Sequence, residues 1–417
     1  MNVTACRICG SGRLAPVLDL GCHPASDRFL SAGELEEAEP RHPLVVVFCE
    51  SCGLLQLGYE VDRGPLFSSH YLYASSASTS MTAHLGRLAG EIVGRFGLAG
   101  GSLAVDIGSN DGTLLQALAG HGLRTAGVDP CPNVAALALA KGIATVAGFW
   151  GLATARSLRE SHGRASVVTG TNVFAHAADL REFVSAAAEV LDDDGVLVLE
   201  FPYVVDLLEG VEFDTIYHEH LCYLSLAPLR DLFGSLGWRI FDVQRLGVHG
   251  GSVRLFAQGP RSRWPATGAL ADMIDLERAR GVRSVETYRA FARSVRRIRE
   301  EARALLGGLN ENGHRVAGYG AAAKGNTFLN YCGLGPEDVA YIVDRNPLKN
   351  GLFSPGAHIP VRPPAALVSD RPDYLLILPW NWKDEIIAEQ RPFAEAGGRF
   401  LVGIPRPRIL GDESGSR

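Results

Sequence analysis

Two C-x-x-C turns open the sequence, Cys6-Arg7-Ile8-Cys9-Gly10 and Cys49-Glu50-Ser51-Cys52-Gly53. A glycine closes each turn, and that geometry aims two thiolates at one ion. Two such turns complete a tetrahedron, so Cys6, Cys9, Cys49 and Cys52 are expected to hold zinc. Four thiolates leave no open coordination position, which gives the metal a structural role. The alternative is two redox C-x-x-C pairs or cysteines that fall there by accident. No basic and then apolar leader stands at residues 1–10, so a cytoplasmic setting without disulfides is expected. Cys22, Cys131, Cys222 and Cys332 are expected as small buried apolar residues.

A second cluster is Asp106-Ile107-Gly108-Ser109-Asn110-Asp111-Gly112-Thr113, between a strand pattern and a helical one. Gly108 and Gly112 let the backbone approach a ligand closely. Asp129 ends the next strand pattern, where an acid can accept hydrogen bonds from both ribose hydroxyls. That spacing alone fits NAD. The loop lacks G-x-G-x-x-G, however, and carries Asp106 and Asp111. Carboxylates repel a pyrophosphate and attract a sulfonium. S-adenosylmethionine is therefore the expected cofactor, with a plain tight turn as the alternative. Phe149 and Trp150 are candidates either for adenine contact or for core packing.

The third cluster is Tyr217-His218-Glu219-His220, just past a strand pattern ending at Glu200. Doubly wound folds place ligands beyond the carboxyl ends of their strands. Histidine is suited to removing a carbon-bound proton near neutral pH. A carboxylate can orient it, and a tyrosine hydroxyl can hold a developing enolate oxygen. An extended segment would put Tyr217 and Glu219 on one side and His218 and His220 on the other. A metal role for the two histidines and a purely structural one are the alternatives.

A fourth is Gly318-Tyr319-Gly320-Ala321-Ala322-Ala323-Lys324-Gly325-Asn326. A glycine turn leading into a helix start makes an anion site. The 40 basic residues include four lysines, and one of them, Lys324, stands where a diphosphate needs a cation. Arg345 and Lys349, with Asp344 and Asn346, are further candidates for nucleotide contact. No second Walker element is visible, so ATP hydrolysis is not expected. A nicotinamide site is the alternative. Trp380 and Trp382 are candidates for bordering a cleft or packing at a domain edge.

These clusters need elements to hold them. A strand pattern at 44–48 belongs to a small cysteine-stapled module. A Ser-rich stretch over 68–78 leads into a helical pattern at 81–96. Strand patterns at 103–108, 125–129, 166–169 and 196–200 alternate with helical runs, which implies a doubly wound parallel sheet. Patterns at 239–243 and 252–257 read as a closing strand pair. Tyr288, Phe291, Val295, Ile298, Ala302 and Leu305 give a long helix one apolar face, with its arginines solvated. A second α/β unit follows, with strands at 315–320, 341–344 and 374–378. The polar tail 411–417 is expected to be disordered. The fold class is α/β: a zinc-binding domain over 1–70, a Rossmann-like cofactor domain over 71–260, and a second Rossmann-like domain over 261–417.

In combination and order, these motifs and His249-Gly250-Gly251-Ser252 resemble the sugar C-methyltransferases of deoxysugar biosynthesis, over nearly the whole chain. The resemblance implies a zinc-binding lid, an S-adenosylmethionine domain and a C-terminal domain holding a dTDP-linked 4-ketosugar. It makes His220 the general base, with Tyr217 and Glu219 its active-site neighbours. It also places Tyr71 and His176 in the cleft, with Asn172 of Asn172-Val173-Phe174-Ala175-His176 on the cofactor side. Ala322 departs from the proline expected there, which predicts a locally looser loop. Methylation at C3 of the sugar is expected, with C5 as the nearest rival.

Composition narrows the field. Hydrophobic residues are 47% and charged residues 21%, ordinary for a globular protein. The net charge of −6 argues against a general nucleic-acid binder. No apolar run is long enough for a membrane span. A monomer is expected, with a dimer as the alternative. The remaining rivals are a zinc-containing methyltransferase acting on RNA or protein and an NAD-linked oxidoreductase.

Overall fold

The protein is seen in a computed structural model that describes residues 1–67, 71–261 and 264–411. Residues 68–70 of the Ser-rich stretch and 412–417 of the polar tail lie outside the described residues.

The N-terminal module is a four-stranded antiparallel sheet of Leu14–His23, His42–Cys49, Leu55–Leu57 and Cys222–Tyr223. Its C-x-x-C turns close as the glycines predict. Gly10 N–H donates to the Cys6 carbonyl at 2.9 Å and Gly53 N–H to that of Cys49 at 2.8 Å. Both glycines have positive φ, 70° and 88°, where a side chain is strained. The fourth strand comes from far along the chain, immediately after the Tyr-His-Glu-His segment.

The central sheet has seven strands, in the order Arg239–Leu246, Ser252–Gln258, Leu191–Pro202, Ala165–Thr171, Leu103–Ile107, Arg124–Asp129, Thr145–Ala147. Leu103–Ile107 is buried along its whole length, which explains its unbroken apolar run around one aspartate. It pairs in parallel with Arg124–Asp129 on one side and Ala165–Thr171 on the other. The chain thus reverses direction of winding at this strand's carboxyl end, opening a crevice there. The predicted closing pair is antiparallel, and Ser252–Gln258 also runs antiparallel to Leu191–Pro202.

The C-terminal sheet has six strands, in the order Val361–Arg362, Ile342–Val343, Val316–Tyr319, Tyr374–Ile377, Arg399–Val402, Arg408–Ile409. Only the last pair is antiparallel. The long helix Val285–Glu311 buries Tyr288, Phe291, Val295, Ile298 and Ala302 as the periodicity predicts. Leu306, not Leu305, ends its buried stripe. The Tyr288 ring meets Phe48 of the N-terminal module at 5.0 Å. One apolar core therefore runs through all three parts of the chain.

Candidate active site

A cleft of about 420 Å³ opens between the two Rossmann-like units and the N-terminal module. Asp106, Gly108, Ser109, Asn110, Asp129, Asn172, His176, Tyr71, Tyr217, His220, Lys324 and Lys349 all line it. Residues more than two hundred positions apart are brought together because the carboxyl ends of the parallel strands of two sheets meet the N-terminal module there.

On the central-domain side, Gly108 has φ 64°, and a Cβ there would lie 2.9 Å from the Val173 side chain. Asn110 also adopts positive φ. Asp129 grips the loop, accepting Asn110 N–H and Cys131 N–H at 2.8 Å each. Asp106 accepts the Thr169 hydroxyl at 2.6 Å, and burial pushes its carboxyl up to about 7, with Asp129 and Glu200 adding to the rise. Asp111 does not line the cleft. Its buried carboxylate takes Thr113 Oγ1 at 2.6 Å and Lys141 Nζ at 2.9 Å, so it braces the loop from behind. Gly112 sits behind too, with Ala138 and Ile143 where its Cβ would be. Trp150 is bonded inward to the Phe183 carbonyl at 3.1 Å, whereas Phe149 is exposed at the cleft mouth.

The Tyr-His-Glu-His segment corrects one expectation. It is not extended. His220 N–H donates to the Tyr217 carbonyl at 3.0 Å, closing a tight turn. The ends of that turn therefore share a side, and the Tyr217 and His220 rings lie 4.1 Å apart. His218 and Glu219 turn into the protein, 1% and 4% exposed. Glu219 accepts Ser26 Oγ at 3.3 Å, and burial pushes its carboxyl up to about 8.

His220 itself is held in one tautomer. Its Nδ1 lies 2.7 Å from the Thr215 carbonyl, which can only accept, so Nδ1 carries the proton and Nε2 the lone pair. Burial, aided by Lys324 and opposed by the Thr215 carbonyl, lowers its pKa to about 4, so the ring is neutral at pH 7. His176 meets it edge-on at 4.9 Å and is likewise held neutral, by burial and then by His220.

On the C-terminal side, Gly320 N–H donates to the Val343 carbonyl and Ala321 N–H to Asp344 at 2.7 Å. Lys324 donates to Asn381 Oδ1 at 2.8 Å and lies over the Trp380 ring at 4.7 Å. Burial lowers its pKa, opposed by Asp214 and Glu212. Trp380 joins the domains by donating to Asp214 at 2.7 Å, and Trp382 lines the cleft. Gly318, Tyr319, Gly320, Asn326 and Arg345 do not line it. Tyr319 points to Glu389, Asn326 donates to the Ser26 carbonyl, and Arg345 pairs with Glu389 at 2.6 Å. The predicted loosening at Ala322 is not seen. Its N–H donates to the Gly320 carbonyl at 2.9 Å, a bond proline cannot make.

Asp27, Tyr73, His249 and Asn381 also line the cleft and were not singled out by sequence as site residues. His249 stood in a noted motif. Asp27 stood in none.

The Cys6, Cys9, Cys49 and Cys52 sulfurs all lie within 4.8 Å of one another, a donor set that fits zinc. Cys22, by contrast, is exposed, so of the four other cysteines only three are buried. It lies on an outer strand where the register shifts between Asp19 and Cys22.

The chain is 38% identical over 412 residues to C-methyltransferase NovU of Streptomyces niveus, covering 99% of this chain and 98% of that one. The chain belongs to the C-methyltransferase family. Residues 247–405 match the family description "C-methyltransferase C-terminal domain", 6–67 "Putative zinc binding domain", and 81–243 "Methyltransferase domain". Among solved structures, magnesium protoporphyrin IX methyltransferase of Synechocystis with bound SAH aligns at TM-score 0.34 and 19% identity, over 43% of this chain and 83% of that one. Mitomycin 7-O-methyltransferase MmcR aligns at TM-score 0.33 and 18% identity, over 44% and 55%. This C-methyltransferase is dependent on S-adenosylmethionine and carries a zinc-binding domain. Among the described residues, no helix is long and apolar enough to cross a membrane.

Proposed function

We propose that this C-methyltransferase acts on a dTDP-linked 4-keto-deoxysugar, through an enolate, in deoxysugar biosynthesis for a natural product. The observation that carries the reading is His220: a neutral imidazole with its Nε2 lone pair left over, in one cleft with Asp106 and Lys324.

When bound, S-adenosylmethionine supplies a methyl group on a cationic sulfur. Asp106, Gly108, Ser109, Asn110, Asp129 and Asn172 form its side of the cleft, where carboxylates favour a cation. Lys324 and Lys349 form the side suited to the nucleotide's diphosphate. The 4-keto group acidifies the neighbouring C–H bonds. His220 Nε2 takes one of those protons and becomes an imidazolium. Its resting pKa is low because the ring is buried beside Lys324; a diphosphate beside Lys324 and an enolate beside the ring both favour the cation. Tyr217, its ring tilted by 32° against that of His220, donates to the enolate oxygen. Tyr71 and His176 shape the wall around the reacting carbon. We assign transfer to C3, with C5 on the ketone's other flank open to the same base. One chain supplies every group named, so a monomer is sufficient.

The test is to incubate wild type and His220→Ala with dTDP-4-ketosugars in deuterated solvent. NMR locates the new methyl group and any deuterium. Wild type should methylate the carbon beside the ketone, and the variant should neither methylate nor exchange. Undiminished turnover by His220→Ala would sink the base assignment.

A further inference from the structure

One carboxylate in the cleft belongs to the N-terminal module and has no task in the reaction just described. Asp27 sits in the loop between Leu14–His23 and His42–Cys49, outside the cysteine turns. It lines the cleft and makes no hydrogen bond or ion pair with its side chain among the described residues. Burial pushes its carboxyl upward, and Lys349 pulls it back.

The loop around it is held by both other domains. Ser26 Oγ donates to Glu219 at 3.3 Å, beside His220 in sequence. Asn326 donates to the Ser26 carbonyl at 2.7 Å. Lys349 lies over the Phe29 ring at 4.8 Å. The Leu30 and Phe353 backbones exchange both hydrogen bonds, at 3.0 and 2.8 Å. A loop tied at four points does not place an unpaired carboxylate in a cleft by slackness. Asp27 is only half-buried, so its unpartnered oxygens face the open cleft and can accept from a donor that a ligand brings.

Which ligand follows from its neighbours. Asp27 acts electrostatically on Tyr71, Tyr73, Tyr217 and Glu219, and is itself acted on by Lys349 and Asp344. Apart from Tyr73, whose carbonyl meets Asn110 on the cofactor side, these belong to the base's surroundings and the C-terminal loop. Asp106 and Asp129, on the cofactor side, are influenced by each other or by Glu200 and Asp111 instead. A group between the base and the diphosphate side faces the sugar ring, and a sugar ring's donors are its hydroxyls. We propose that Asp27 is a substrate-binding residue that accepts a hydrogen bond from a sugar hydroxyl and so sets which ring carbon faces His220 Nε2. The inference rests on the ketosugar reading above and deepens it.

The experiment compares wild type, Asp27→Ala and Asp27→Asn on a dTDP-4-ketosugar and its singly deoxygenated analogues. S-adenosylmethionine affinity is measured by calorimetry and zinc content is measured alongside. Asp27→Ala should raise KM for the ketosugar about tenfold or more, the scale of a hydrogen bond to a charged group. Its S-adenosylmethionine affinity and zinc content should match wild type. One deoxy analogue should bind wild type as weakly as the full substrate binds Asp27→Ala, and lose nothing further in that variant. Asp27→Asn keeps the size and an accepting oxygen, so it should fall between; it decides the matter if the alanine variant does not fold. Wild-type KM in both variants overturns the proposal. So does an equal loss of cofactor affinity, or the absence of any analogue whose defect disappears in Asp27→Ala. If wild type itself turns over no ketosugar, the ketosugar reading has failed, and this one with it.

Discussion

In the first Rossmann-like unit, Gly108 N–H donates to Val128 and the strand-end Asp129 grips Asn110 and Cys131. In the second, Gly320 N–H donates to Val343 and the strand-end Asp344 grips Ala321 and Asn346. The backbone devices correspond bond for bond; the side chains around them differ in sign. Two residues before the turn glycine stands Asp106 in one unit and Gly318 in the other. A Cβ at Gly318 would already lie 3.0 Å from Ile342, so no carboxylate fits there. The cleft face of the second unit carries Lys324 and Lys349 instead. On the proposed reading, a generic cradle serves a cationic ligand in one unit and an anionic one in the other, and the charges set around it decide which.

Several measurements can break that comparison or sharpen it. The largest effect belongs to the group between the two loops. His220→Ala should lower turnover about 10²- to 10⁴-fold, as loss of a general base does, while both ligands still bind. Next, stripping the metal with a chelator should lower the melting temperature, on the order of 10 °C, and weaken sugar-nucleotide binding more than cofactor binding. Equal loss at both sites would mean that the N-terminal module supports the whole cleft alike.

A crossed pair of variants comes third. Lys324→Met should weaken the sugar nucleotide, and Asp106→Asn the cofactor, each about tenfold or more, with little effect on the other ligand. Parallel losses would show that the two sites are not separable by charge. The smallest effect is in pH. Asp106 has its carboxyl raised to about 7, and only its ionised form attracts a cation. Affinity for S-adenosylmethionine should therefore rise with pH through about 7 and then level off, by no more than about tenfold per unit. S-adenosylhomocysteine, with a neutral sulfur, should show a flatter profile in the same calorimetric titration.

The cysteine turns were legible because C-x-x-C-G is local: sequence spacing alone fixes the turn. Both glycine loops were legible for the same reason, as were the buried strands before them. What escaped depends on contacts between distant segments. Asp111 reads as a loop acid in sequence, yet Lys141 draws it behind the loop. The Tyr217–His220 turn looked extended because its residues alternate in type, and periodicity does not reveal a tight turn between two buried stretches. Tyr319 and Arg345 stand at the candidate loops but meet Glu389 and do not line the cleft. Asp27 carried no signal at all, since its place depends on partners some two to three hundred residues later.

The strand Cys222–Tyr223, which pairs with Leu55–Leu57, bears on how the chain is made. The N-terminal module is synthesised before both Rossmann-like units, and its cysteines are complete by residue 52. Its sheet cannot close until residue 223 has been synthesised, and its loop at Leu30 waits for Phe353. Until residue 223 the module therefore carries an unpaired sheet edge beside an unfinished loop, and the loop stays unfinished until residue 353. Pairings of such long sequence separation form slowly, and open edges invite the wrong partner. A module synthesised ahead of both Rossmann-like units is among the last parts of this enzyme to be finished.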